Sequence, residues 1–457
     1  MAAKDNHSVS PQISSRDDLV QWLADGEASK NEWRIGTEHE KFLFMCDDHR
    51  RPSYEEENGV GSLLQKIAEH LDGTPIMEGE NIIGVKEKNG GSLTLEPGGQ
   101  FELSGAPLET LHETCCETNT HLKVMQTITE DMGMGMLGVG YDPLWTRDDV
   151  PWMPKGRYRI MRNHMPKVGS LGIDMMKRTC TIQVNLDYSS EADMVRKFRT
   201  SLALQPVATA IFANSPFRDG APSGLLSTRA EAWTDTDAAR CGVPACVFDD
   251  GFGYEQWVDY ILDVPMYFLH RGDDYQDVAG LSFRDFMQGK LPGHEGDLPL
   301  MEDWEDHITT AFPEVRLKTF LEMRGTDGGP WNMICALPAL WVGLLYDEDA
   351  LSAAEDLAKG LTAQDVADAR MQAARHGLNG TIGGRNMGDI ASAMLDIAAK
   401  GLSNRAMLDK NGEDEQYYLN PIREIVDSRK TRAELLLDLY HGEWAGDLSC
   451  LYRDFQY

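Results

Sequence analysis

RTCTIQVNLDY (178–188) is the stretch on which the reading of the fold turns. Successive strand side chains point to opposite faces, so Thr179, Thr181, Gln183, Asn185 and Asp187 line one side. Cys180, Ile182, Val184, Leu186 and Tyr188 line the other. One polar and one apolar face is the pattern of a strand in an antiparallel sheet. Three further segments read alike. In RIGTEHEKFLFM (34–45), Glu38 and Glu40 share a face, and His39 and Lys41 take the opposite one. SLTLEPGGQFELSG (92–105) is two strand pieces joined at Pro97-Gly98-Gly99, with Glu96, Gln100 and Glu102 at even steps. VRLKTFLEMRG (315–325) reads as one strand with Glu322 and Arg324 together, and MLGVGYDPLW as another.

Helical patterns lie between these strands. LETLHETCCETNTHLKVMQTITEDMG (108–133) is amphipathic, and SSEADMVRKFRTSLALQPVATAIFANS opens on a serine cap and is expected to break at Pro206. GPWNMICALPALWVGLLYD is an apolar helix, and the chain beyond about Leu351 is helical and alanine-rich. The class is α+β: a mainly antiparallel sheet, outer helices and a helical C-terminal part. At 457 residues the chain exceeds what one hydrophobic core supports, roughly 250–300 residues. The expected division is a lead-in over 1–30, a catalytic domain over 31–348 and a helical region over 349–457 packed on it.

Composition narrows the function. There are 74 acidic against 43 basic residues, a formal net charge of −31, which argues against nucleic acid as a partner. No run approaches the ~18 apolar residues of a membrane span. The eight cysteines form no zinc-like pairs and read as reduced thiols. MAAKDNHSVSPQISSRDDL reads as neither a signal nor a transit peptide, so the expected location is the cytoplasm.

A solvated sheet face normally mixes Lys with Glu. Here four segments offer Glu, Gln, Asn and Thr with a single Arg. The five carboxylates of Glu38, Glu40, Glu96, Glu102 and Glu322 on one face would repel one another unless a cation neutralised them. Mg²⁺ takes carboxylate oxygens together with substrate phosphates, so the residues point to a metal–nucleotide site on an antiparallel sheet. Competing motifs fail on context. Gly133 to Gly138 matches GxGxxG but follows a helix and enters a strand, the reverse of a dinucleotide fingerprint, and there is no P-loop. Within 153–178, Lys155, Arg157, Arg159, Arg162, Lys167, Lys177 and Arg178 read as a mobile lid for anionic substrate groups.

RIGTEHEKF, SLTLEPGGQFELSG, MPKGRYRIMRNHMPKVGSLGIDMMKRTCTIQVNLDYSSEADMVRKFR, LALQPVATAIFANSPF and FLEMRGTDGGPW resemble the plant/proteobacterial type of glutamate–cysteine ligase. The resemblance runs from about Trp33 to the end of the chain. It implies a glutamine-synthetase-like fold, in which a curved antiparallel sheet forms a funnel with helices outside. It also implies that Mg-ATP phosphorylates the γ-carboxyl of L-glutamate and that the amine of L-cysteine displaces the phosphate, the first step of glutathione synthesis. On that resemblance Glu38, Glu40, Glu96, Glu102 and Glu322 are metal ligands, and Arg324 steadies the transferring phosphoryl group. Arg157 and Arg229 are glutamate anchors, Thr181 and Gln183 line their pocket, and Tyr267 belongs to the cysteine-binding end.

Glutathione is implied as a feedback inhibitor, with the protein a monomer or weak homodimer. The absence of a transit segment points to a bacterial member. Cys115 and Cys335 match a disulfide pair of plant members. A second plant pair is missing, since Val278 and Gly293 stand at its positions. Read by themselves, Cys115 and Cys335 are two small buried core thiols. Two alternatives stay open at this level: a sister ligase with another amine acceptor, and a silent sensor on the same scaffold.

Overall fold

The alternation in these segments is realised in a computed structural model that describes residues 10–272 and 274–457. Nine strands form one sheet: β1 (Ile35–Met45), β2 (Thr74–Glu78), β3 (Asn81–Lys86), β4 (Ser92–Leu95), β5 (Gln100–Ser104), β6 (Met134–Leu137), β7 (Thr181–Leu186), β8 (Val315–Leu317) and β9 (Leu321–Asp327). Their order is β8-β9-β7-β1-β5-β4-β3-β2, with β6 also on β1, and every pairing is antiparallel.

Register carries the polar residues onto one face, because directly opposed residues share a face. Glu40 stands opposite Glu102, Glu38 opposite Gln183, and Glu322 opposite Asn185. The other face is apolar. Ile35, Ile182, Val184, Leu186, Leu321 and Met323 are buried with residues of the Glu191–Ile211 and Trp331–Leu345 helices. Leu93, Leu95, Phe101 and Leu103 join a second cluster with the Val60–Leu71 and Leu111–Asp131 helices. The class read from sequence is the class observed, down to the run of helices beyond Glu348.

Four local expectations are corrected. The Glu191–Ile211 helix runs unbroken through Pro206, because residues 200–211 are buried on all sides and packing outweighs one lost hydrogen bond. The stretch 315–325 is a hairpin, with β8 and β9 turning at 318–320. The strand after Gly133 ends at Leu137. The basic segment is no loop: it holds helices Gly156–His164 and Gly172–Arg178 around a short turn. Polar contacts pin it, since Lys155 Nζ and Tyr158 OH both donate to the Leu95 carbonyl, at 2.7 and 2.6 Å.

Cys115, on Leu111–Asp131, and Cys335, on Trp331–Leu345, lie thiol to thiol, buried and unbonded. Among the described residues no helix is long and apolar enough to cross a membrane. Of the expected lead-in, residues 1–9 fall outside the described chain, and Arg16–Ala24 is a serine-capped helix.

The Met387–Arg405 helix crosses Trp331–Leu345 with the two backbones in contact. A Cβ on Gly401 would sit 1.9 Å from the Gly343 carbonyl oxygen, and one on Gly343 would sit 2.4 Å from that of Ala398. Helix propensity alone favours alanine over glycine by about 1 kcal/mol, whereas overpacking a core costs about 1–3 kcal/mol or more. Gly401→Ala should therefore lower stability, seen as a reduced Tm. An unchanged or raised Tm would show that the crossing tolerates a methyl group.

Candidate active site

Every carboxylate singled out in the sequence lies on or beside the polar face, but their surroundings divide them. Glu322 is 1% exposed and saturated with positive charge. Arg316 holds it with Nε and Nη2 at 2.6 and 3.1 Å, Arg324 Nη1 lies at 3.0 Å and Lys318 Nζ at 3.6 Å. Burial acts to raise its pKa, yet Arg316, Lys318 and Arg324 together hold it well below the usual carboxylate range.

The others have no such partners. Glu38 accepts from Asn185 Nδ2 at 2.8 Å, Glu40 from the Thr181 backbone N–H at 3.0 Å, and Glu102 from Thr94 Oγ1 at 2.7 Å. Among the described residues no ion pair closes on Glu38, Glu40, Glu96 or Glu102. Burial pushes the Glu38 carboxyl up, helped by the charges of Glu322 and Glu102. Glu40 is driven further, by burial and then by Glu96 and Glu102. Glu102 rises through burial and Glu96. Two side-chain oxygens on this face, Gln183 Oε1 and Asn185 Oδ1, are buried without partners.

Cations stand at the rim. Arg229, on the Thr228–Ala232 helix, donates from Nη2 to the Arg324 carbonyl at 2.8 Å, while its buried Nε has no partner. A small pocket lies between Arg229, Trp233, Glu314 and Arg324. Thr181 is committed to backbone, its hydroxyl donating to the Thr326 carbonyl at 2.7 Å. Arg157 lies against Tyr158, with Glu96 and Tyr275 the nearby acidic groups. A cavity of about 480 Å³ opens beside that helix, lined by Trp152, Lys155, Tyr158, Arg159 and Arg162 among others.

Tyr267 departs from expectation. It is 1% exposed, its ring stacked 3.7 Å from the buried Arg240 guanidinium and its hydroxyl beside Met165 Sδ and Asp237. It packs between Arg240 and Met165. Sequence reasoning passed over Arg316 and Lys318, although VRLK places them two apart on one strand face.

As they stand, no three His, Cys, Asp or Glu groups among the described residues close into a metal cage. The donor set nevertheless fits a hard cation. Its carboxylates are buried or half-buried and carry like charge, with no ion pair among the described residues, and Mg²⁺ commonly takes only one or two carboxylates with the remainder from phosphate and water.

Comparison with known proteins now decides the family. The model of glutamate–cysteine ligase family 2 matches residues 34–454. The chain belongs to that family. A chloroplastic glutamate–cysteine ligase of Nicotiana tabacum is 53% identical over 98% of this chain and 84% of its own length. That of Arabidopsis thaliana is 52% identical, with the same shares covered. A solved glutamate–cysteine ligase of Francisella tularensis, in complex with AMP, superposes with a TM-score of 0.54, covering 93% of this chain and 89% of that one. At 12% identity it shows the shared glutamine-synthetase-like fold. The family member described here is an ATP-driven ligase of glutamate and cysteine, the first step of glutathione synthesis. The expectation of a bacterial cytoplasmic enzyme is overturned, since the plant relatives it matches so closely are named chloroplastic.

Behind the carboxylates, on the other side of β1, lies a buried basic trio. Lys41 Nζ is 2.7 Å from His39 Nδ1, and His39 meets His121 edge to face at 5.4 Å. Burial pushes Lys41 down to about 7 and both histidines well below their usual value, so neutral His39 accepts from Lys41. In the unfolded chain a lysine keeps its proton to about pH 10.4. Between about pH 7 and 10 the unfolded state thus binds more protons than the folded one, and stability gains with pH. Lys41→Met should exceed wild type in Tm most at low pH, with the difference narrowing as pH rises to about 10. A gap independent of pH would refute the buried titration.

Proposed function

We propose that ATP phosphorylates the γ-carboxyl of glutamate in the space over Glu38, Glu40, Glu96 and Glu102, and that the cysteine amine then displaces phosphate from the resulting acyl phosphate. The reading rests on one observation: four carboxylates without counter-ions lie beside one carboxylate that three cations neutralise. The unpaired four would hold Mg²⁺, which would supply charge neutralisation for phosphate beside a carboxylate. The Glu322 cluster does something else. It keeps a net positive corner whose Arg324 is aimed along the same sheet face, and fixed charge in a dry site stabilises charge developing in transfer.

Arg157 and Arg229 bind the α-carboxylate end of glutamate, a fork-to-carboxylate match that lysine cannot make. Support for Arg229 comes from its buried, partnerless Nε. Gln183, also with an unmet buried oxygen, is suited to the substrate ammonium. The glutamyl group of glutathione fits the same arginines, which makes it a competitor of glutamate.

The two carboxylate environments give opposite expectations for stability. Glu40→Gln and Glu102→Gln should cut kcat by about 10²–10³ while holding or raising Tm, because each removes a repelling charge. Glu322→Gln should cut kcat as well but lower stability by about 3–5 kcal/mol, seen as a reduced Tm, since it strands Arg316 and Arg324. Steady-state rates at saturating Mg²⁺ with calorimetry check this, and near-normal rates in Glu40→Gln would remove that residue from the site.

Arg157→Ala and Arg229→Ala should mainly raise the KM for glutamate, about ten- to a hundredfold, with the KM for ATP little changed. Weakened ATP binding with glutamate spared would assign these arginines to the other substrate.

A further inference from the structure

Arg229 sits on a five-residue helix, Thr228–Ala232, too short to define its own position. Something outside the helix must therefore set where the guanidinium points. The answer lies at the end of β9. The Asp327 carboxylate is 1% exposed and accepts three hydrogen bonds. One oxygen takes the Asn214 backbone N–H at 2.8 Å and the Ser215 hydroxyl at 2.6 Å, and the other takes the Ser227 hydroxyl at 2.7 Å.

Both hydroxyls hand the constraint onward. Ser227 caps the short helix, its Oγ accepting from Ala230 N–H at 3.0 Å. Ser215 Oγ accepts from the Arg229 N–H itself at 3.3 Å. Each serine thus donates to Asp327 and accepts from the helix's first turn. Asp327 also exerts the strongest favourable charge on Arg229, ahead of Glu314 and Glu40. The far end of Arg229 returns to the same strand through the Arg324 carbonyl, so β9 grips this arginine from both sides.

We propose that Asp327 is a positioning residue for glutamate binding: through Ser215 and Ser227 it fixes the helix that presents Arg229. The proposal rests on the assignment of Arg229 to the glutamate carboxylate. Asp327 itself touches no substrate.

A kinetic double-mutant cycle with thermal melts tests it. Asp327→Asn keeps the shape but cannot accept three bonds, and should raise the KM for glutamate about tenfold, with the KM for ATP within about twofold. Ser227→Ala, which removes one link, should raise it about threefold. In an Arg229→Ala enzyme, Asp327→Asn should add less than about twofold, because its only route to glutamate is gone. Full multiplication of the two effects, or an unchanged glutamate KM in Asp327→Asn and Ser227→Ala, would overturn the proposal. If Asp327→Asn does not fold, Ser227→Ala in the wild-type and Arg229→Ala backgrounds completes the same cycle. A glutamate KM unmoved by Arg229→Ala would instead sink the underlying assignment of Arg229, a result separable from failure of the relay.

Discussion

Negative charge gathered on a covered face of an antiparallel sheet is the constraint around which this protein is arranged. Opposed residues on paired strands sit about 4.5–5.5 Å apart at Cβ, so Glu40 and Glu102 cannot avoid one another. The protein answers this in two ways. Glu322 is neutralised within the fold by a hairpin whose first strand supplies Arg316 and whose turn supplies Lys318. Glu38, Glu40 and Glu102 receive one neutral donor apiece, which is too little to offset burial. The remaining deficit is what a metal-bearing nucleotide can satisfy.

Whole-chain charge and local charge point in opposite directions. A chain at −31 repels anions on average, yet both substrates and ATP carry carboxylate or phosphate. Arg157, Arg229, Arg316, Lys318 and Arg324 surround the carboxylate face and set a local potential unlike the mean. Net charge speaks to solubility and to broad classes of partner, and side-chain placement decides what binds.

Much of this was legible because a strand has a period of two. Residues 178–188 and 34–45 declare their faces without reference to anything distant, and the register of β1 with β5 and β7 delivers Glu38, Glu40, Glu102 and Gln183 as the alternation requires. What escaped depends on contacts remote in sequence. Pro206 is tolerated only because its helix is walled in by sheet and C-terminal helices. The basic run reads as a mobile lid because seven cations in 26 residues suit anionic groups, whereas Lys155 reaches a carbonyl 60 positions away. The resemblance places Tyr267 at the cysteine-binding end, and nothing in its sequence neighbourhood reveals Arg240 beneath the ring. Asp327 drew no notice at all, since its three donors come from positions 100 to 113 residues earlier.

The crossing at Gly343 and Gly401 bears on how such a chain can change over time. Two helices whose backbones touch cannot acquire side chains there independently, and the inner one also packs on the sheet. The C-terminal helices are therefore no detachable module. Recombination that exchanged the chain beyond Glu348 would bring in an Met387–Arg405 equivalent shaped for another partner. The close crossing ties the sheet's helical backing to the chain before Glu348, so a change at either glycine must be matched on the other helix.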